Sequence, residues 1–128
     1  MWNMVRIEAA ISRLPVLRFE QIGAGASWVG EYGSVSVPEE ERFLAGISPY
    51  HNLKPHVAYP MPFFVTSTKD DRVTPVHARK MAARMQEMGL PFLYFENTNG
   101  GHAASANQQE RAERIALEFT YLVRQLFD

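Results

Sequence analysis

Two polar stretches of this 128-residue chain hold the residue types that acid–base chemistry requires: Asp70, Asp71 and Arg72 in one, His102 beside Gly101 in the other. A carboxylate that accepts a hydrogen bond from imidazole Nδ1 fixes the tautomer. It also stabilises the imidazolium formed when Nε2 takes a proton from a nucleophile. Taken singly, both stretches have plain readings. An Asp-Asp-Arg cluster is more often a solvated turn with a local ion pair, and a histidine flanked by glycines is more often only a loop residue. Their worth depends on what positions them.

Each stretch follows a short apolar run. Phe63–Ser67 is bounded by Pro60 and Pro62, is apolar on both faces and reads as a buried parallel strand. Thr74 and Pro75 supply an N-cap and a first-turn proline, and Ala78, Met81, Ala82, Met85 and Met88 then share one helical face until Gly89 and Pro91 end it. Leu90–Phe95 is a second strand. Strand, helix and strand in this order predict a right-handed βαβ unit. The acid and the histidine then sit outside the carboxyl ends of adjacent parallel strands, where open α/β sheets bind ligands. Acid before histidine is also the chain order of the α/β-hydrolase triad. Spacing alone leaves the plain and the catalytic readings both open.

Elsewhere, Ser105 and Gln108 have capping-box spacing ahead of a last helix whose Ala112, Ile115, Phe119, Leu122, Val123 and Leu126 should pack on the sheet. Ile7–Ser12 is a candidate third strand, and Pro15–Phe19 a turn and short helix. GAGASWVGEYGS reads as a glycine-rich loop, PEEERFLA as a short helix and SPYHNLKPHVAYPMP as a proline-punctuated loop.

No nucleophile is evident. The chain has seven serines, none in G-x-S-x-G; the nearest match, Gly25-Ala26-Ser27-Trp28-Val29, has valine where the second glycine belongs. Gly23, Gly25 and Gly30 do not form a dinucleotide fingerprint, because Trp28 takes the third glycine position. No histidine pair has the i, i+4 spacing of a zinc site, so no metal and no cofactor are expected. The methionine stripe is most simply core.

Composition narrows the class further. A hydrophobic content of 46% argues against disorder, and the absence of cysteine excludes a disulfide scaffold, a thiolate metal site and a cysteine nucleophile. A net charge of -1 gives no electrostatic case for nucleic acid or an anionic membrane. Arg6, Glu8 and Arg13 interrupt any targeting signal near Met1, and no run reaches membrane-spanning length, so a cytoplasmic protein is expected.

Four motifs then fall in one order: Trp28, Glu31, Tyr32 and Gly33 as W-x-x-E-Y-G; Ser48, Pro49, His51 and Asn52 as S-P-x-H-N; Asp70, Asp71, Arg72, Val73 and Pro75 as D-D-R-V-x-P; and Gly101-His102. In that order, over about residues 15 to 128, they resemble the C-terminal part of the catalytic domain of the prolyl oligopeptidase family of serine peptidases. The resemblance implies an α/β fold, the C-terminal portion of an α/β-hydrolase with a mostly parallel sheet of about three strands flanked by helices. Residues 1–128 would form one partial domain without the nucleophile-bearing half or the β-propeller. It further implies that Asp70 is the triad acid and His102 the general base. Arg72 resembles the arginine that holds the substrate backbone, and Trp28 the ring that stacks on proline; Tyr32 and Val73 would line the same pocket. The flat indole suits a pyrrolidine ring. The plain alternatives are a buried aromatic for Trp28 and a salt bridge to Asp71 or Glu31 for Arg72. Ala103 stands where many members have glycine, and the register of the first 17 residues departs from the family.

The expected function is therefore the acid, base and pocket portion of a peptidase that cuts after proline, inactive alone for want of a serine. A non-catalytic association module and an esterase using Ser27 are the alternatives. A cut parallel sheet exposes an edge, so self-association or a complementing chain is expected.

Overall fold

The computed structural model describes residues 23–71, 74–101 and 106–127. The candidate strand Ile7–Ser12 and the turn and helix of Pro15–Phe19 lie outside them, as do Arg72, Val73, His102 and Ser105.

A 3-10 turn, Gly23–Trp28, runs into a one-turn helix α1 (Val29–Tyr32). Next come α2 (Pro38–Ile47) and a second one-turn helix, α3 (Pro49–Asn52). β1 (Phe63–Ser67), α4 (Val76–Glu87) and β2 (Leu93–Asn97) follow, and α5 (Gln108–Phe127) ends the described chain. The two strands pair in parallel, Phe63 with Leu93 through Ser67 with Asn97. The βαβ unit is thus present, and it forms the whole sheet among the described residues.

β1 has its expected limits. β2 begins three residues later than the apolar run suggests, and the end of α4 gives the reason. Gly89 adopts φ +68, its N–H donates to the Gln86 carbonyl, and the Leu90 N–H donates to the Met85 carbonyl at 2.9 Å. That pair of bonds is a Schellman motif, so Leu90 still belongs to the helix terminus, and Pro91 has no N–H for a ladder. Pairing starts when the Leu93 N–H reaches the Pro62 carbonyl at 2.8 Å.

Phe64, on the α4 side of the sheet, packs with Leu53, Met81, Ala82 and Met85 to form the core, edged by Tyr50, Tyr59, Met88, Leu90, Phe92 and Tyr94. The methionine stripe is core, as expected. Full burial of side chains such as Phe64 and Met85 contributes roughly 1.5–3 kcal/mol each.

Four local readings need correction. Pro75, not Thr74, occupies the N-cap of α4, and the buried Thr74 hydroxyl has no hydrogen-bond partner among the described residues. Proline's fixed φ begins the helix there without a side-chain bond. GAGASWVGEYGS is not open loop but the 3-10 turn and α1, closed by Gly33 at φ +89. The SPYHN segment forms α3, in which Ser48 Oγ lies 2.8 Å from His51 Nδ1 and Asn52 Nδ2 donates to the Ala45, Gly46 and Ser48 carbonyls. The cap of α5 is formed by Asn107: its Oδ1 accepts the Glu110 N–H at 2.9 Å, and its carbonyl accepts the Arg111 N–H.

α5 meets the sheet through a different face from the one its apolar spacing marks. Tyr121 donates its hydroxyl to the Met61 carbonyl at 2.7 Å and lays its ring 5.5 Å from that of Phe63. Ile115 and Leu122 are half-buried at the edge of this face. Phe119 (63% exposed), Val123 (50%) and Leu126 point away, and no residue of the helix is fully buried.

Candidate active site

The carboxyl ends of β1 and β2 are locked side by side. Ser67, last in β1 and 1% exposed, donates its hydroxyl to the Gly100 carbonyl beyond β2, and the Thr68 N–H donates to the Asn97 carbonyl at 2.8 Å. On the β1 side, the Asp70 N–H donates to the Ser67 carbonyl at 3.2 Å, folding the turn that presents this half-buried aspartate. On the β2 side, the chain passes Lys69 so closely that a Cβ on Gly101 would sit 3.7 Å from the Lys69 carbonyl oxygen. Asp70 and the residue directly before His102 thus leave adjacent strands at one edge.

Asn97, 8% exposed, shapes the loop after β2 from inside. Its Oδ1 accepts the N–H groups of Asn99 (2.8 Å) and Gly100 (3.3 Å), while its Nδ2 donates to Glu110 Oε2 at 2.9 Å. Glu110 also accepts from the Ala106 N–H, Asn99 Nδ2 and Asn107 Nδ2. These hydrogen bonds, led by that from Ala106, hold its carboxyl below the usual range.

A second polar cluster braces the turn carrying Asp70. Glu96 in β2 forms an ion pair with Arg79 of α4 and accepts hydroxyls from Thr68 and Tyr94, each at 2.5 Å. Donation from Arg79 dominates, and the Glu96 carboxyl falls to about 2. Tyr94 is pushed up to about 12, first by burial and then by its bond to Glu96.

The expected pocket residues Trp28 and Tyr32 are half-buried and stand four positions apart, one helical turn, at the two ends of α1. Tyr32 lines a hollow of about 420 Å³ between α1 and α2, together with Glu31, Glu39, Glu40 and Phe43. Gly33 is required at its base: with φ +89, an added Cβ would lie 2.9 Å from Glu40 Oε2, the atom that accepts the Ser34 N–H at 2.7 Å. Ser27 lies within the 3-10 turn, so Gly23–Ala26 directly before it are not a strand, and the strained strand-to-helix elbow of a serine nucleophile is not formed there. The described residues contain no cluster of three or more metal-ligating side chains.

Three contributors were not singled out in the sequence: Ser67, Asn97 and Glu110. A buried serine and asparagine ending two adjacent strands, with N-x-N-G after the second, are the signal that could have found the first two.

A parallel βαβ unit with an aspartate turn after one strand and a glycine-histidine loop after the next is the carboxyl edge of an α/β-hydrolase sheet. The prolyl oligopeptidase family matches residues 8–128, and the chain belongs to that family of serine peptidases. It is 59% identical over its whole length to an uncharacterized peptidase, y4nA, of Sinorhizobium fredii, covering 17% of that protein. It is 36% identical over 125 residues to the prolyl oligopeptidase ophP of Omphalotus olearius, covering 93% of this chain and 16% of ophP. A prolyl endopeptidase structure superposes with TM-score 0.82 at 31% identity, over 91% of this chain and 18% of that one. Prolyl oligopeptidase B of Galerina marginata, solved with a 35-residue hydrolysis and macrocyclization substrate, gives 0.79 at 26%, over 89% of this chain and 16% of that one. The chain spans about one sixth of the length of its curated relatives. No described helix is long and apolar enough to cross a membrane.

Proposed function

We propose that this chain supplies the acid, the base and part of the substrate pocket of a serine peptidase centre that cuts peptides after proline. Asp70 is the acid that orients His102. His102 is the general base that takes the proton of a serine hydroxyl and returns it to the leaving amine. Arg72 holds the substrate backbone, Trp28 stacks on the proline ring, and Tyr32 and Val73 complete the pocket wall. The serine and its oxyanion donors belong to a part of the hydrolase domain outside this sequence. The observation that carries the reading is the Ser67–Gly100 lock, which brings the Asp70 turn and the glycines preceding His102 to one edge of the sheet.

A second reading, a non-catalytic module that pairs with other chains, is favoured by the apolar face of α5 that nothing described covers. The test begins with the pure chain, a chromogenic prolyl peptide and a fluorophosphonate: neither turnover nor labelling is expected. Stoichiometric labelling of Ser27 would overturn the assignment of the nucleophile to another part. The chain is then mixed with the nucleophile-bearing part of a prolyl oligopeptidase. Turnover that falls about 10³–10⁴-fold in Asp70→Asn or His102→Gln supports the catalytic reading. A stable complex without turnover supports the module.

A further inference from the structure

Asn99 is the one asparagine of five that stands directly before a glycine; the others precede Met4, Leu53, Thr98 and Gln108. The carboxamide carbon of an asparagine is open to attack by the backbone nitrogen of the next residue, and a side chain on that residue hinders the approach. Glycine has none. The structure leaves the carbon accessible and restrains the nitrogen only loosely. Asn99 is exposed in the loop after β2, and its Nδ2 donates to Glu110 Oε1 over a long 3.4 Å. The Gly100 N–H donates to Asn97 Oδ1 at 3.3 Å, a weaker hold than the 2.8 Å bond that the same oxygen accepts from the Asn99 N–H.

We propose that Asn99 is a deamidation site, and that the carboxylate formed there repels Glu110 and unfastens the end of β2 from the start of α5. The Gly100 nitrogen bonds to Asn99 Cγ, the Cγ–Nδ2 bond breaks, and ammonia leaves with the proton that the Gly100 nitrogen gives up. Water then adds to one of the two carbonyls of the succinimide ring and breaks its bond to nitrogen, which restores the N–H and leaves aspartate or isoaspartate. Either product exchanges an N–H donor for an anionic oxygen. The group it faces is already an anion, because all the partners of Glu110 are donors: Asn97 Nδ2 and the Ala106 N–H at 2.9 Å on Oε2, and the side-chain amides of Asn99 and Asn107 on Oε1. Like charges this close repel. Glu110 then withdraws, and with it goes the bond through which the buried Asn97 ties β2 to α5.

The experiment ages the full chain in warm, mildly alkaline buffer. Peptide mapping by mass spectrometry follows the mass gain at each asparagine, and enzymatic methylation counts isoaspartate. Asn99 is expected to convert at least about tenfold faster than any of the other four, a barrier difference of about 1.4 kcal/mol. Conversion at Asn99 no faster than at the others overturns the site. The product is also made directly as Asn99→Asp, beside Asn99→Ala, which removes the same donor without adding charge. Asn99→Asp should raise the Glu110 titration midpoint seen by NMR and speed amide exchange at Ala106, whose N–H Glu110 holds, by about fivefold. Asn99→Ala should change both far less. Equal effects of the two variants, or none from either, overturn the unfastening. Because Asn99 is exposed, both variants should fold as the parent does.

Discussion

The hydroxyl of Ser67 donates to the carbonyl of Gly100, joining the last residue of one strand to the loop that follows its neighbour. Both residues are buried. Ser67→Ala leaves the Gly100 carbonyl with one acceptor site unmet, a cost of about 1–3 kcal/mol. The expected result is a lower melting temperature together with faster amide hydrogen exchange at Asn99–Gly101. Unchanged exchange in that loop would refute the lock.

Acid should loosen the brace between α4 and β2. The Glu96 carboxyl falls to about 2 in the folded chain, against an ordinary value of 4.5. A depressed carboxylate contributes stability that is complete above the unfolded value and is lost as pH falls from about 4.5 towards 2. Arg79 is half exposed, so solvent screening keeps the contribution of the ion pair small. Chemical denaturation of parent and Glu96→Gln should therefore converge as pH approaches 2 and differ most above about pH 5. A constant gap across that range would contradict the linkage.

The histidines give a second acid limb at milder pH. Burial, aided by Arg84 for His51 and by Lys80 for His77, lowers both imidazoles below 6.5. The unfolded chain then binds more protons than the folded one near that pH. Their contribution is present above 6.5 and is lost as pH falls through the lowered folded values. Melting temperature is expected to drop between pH 7 and 5, with a shallower drop in His77→Gln. NMR titration should place both midpoints under 6.5, and a midpoint above it for either would remove that residue from the account.

Two glycines with positive φ differ in both backbone strain and steric overlap. Gly89→Ala meets open space at φ +68 and should cost only the left-handed penalty, about 1–2 kcal/mol. Gly33→Ala should cost more on both counts: φ +89 with ψ 177 is a backbone conformation that essentially only glycine adopts, and the added Cβ is held 2.9 Å from Glu40 Oε2, which must withdraw from the Ser34 N–H. Denaturation midpoints should rank parent, Gly89→Ala, Gly33→Ala in falling order. Adding Glu40→Ala should recover part of the Gly33→Ala loss, and no recovery would contradict the overlap.

The βαβ unit was legible because its signals are local and agree: apolar runs at strand length, methionines and alanines at helical spacing, and Gly89 with Pro91 to stop the helix. The edge that joins Asp70 to the histidine loop was legible only as a topological consequence. Its fasteners were not, because Ser67, Asn97 and Glu110 lie 13 to 43 positions apart and meet only when the strands pair. Trp28 and Tyr32 were picked out by motif, while their local structure was misread. Alternating glycines suggested loop, yet the segment coils into a 3-10 turn and α1. The apolar spacing of α5 was read correctly as a stripe and wrongly as the sheet contact. Spacing reports that a face is to be covered, not by what.

That stripe leads to the last expectation. Phe119, Val123 and Leu126 lie exposed along one side of α5, opposite the Tyr121 side that meets the sheet. The relatives are about six times as long as this chain, and the remainder of a hydrolase domain is the occupant that the proposed function calls for. Deprived of that occupant, the isolated chain should cover the stripe with a second copy of itself. Sedimentation at tens of micromolar is expected to show a species larger than a monomer. The double change Phe119→Asp and Val123→Asp should return it to a monomer while preserving helical content, because neither side chain is buried in the core. On the same proposal it should also weaken pairing with a nucleophile-bearing part. A parent chain that sediments as a clean monomer would show that the stripe needs no cover, and the case for a complementing part would then rest on the sheet edges alone.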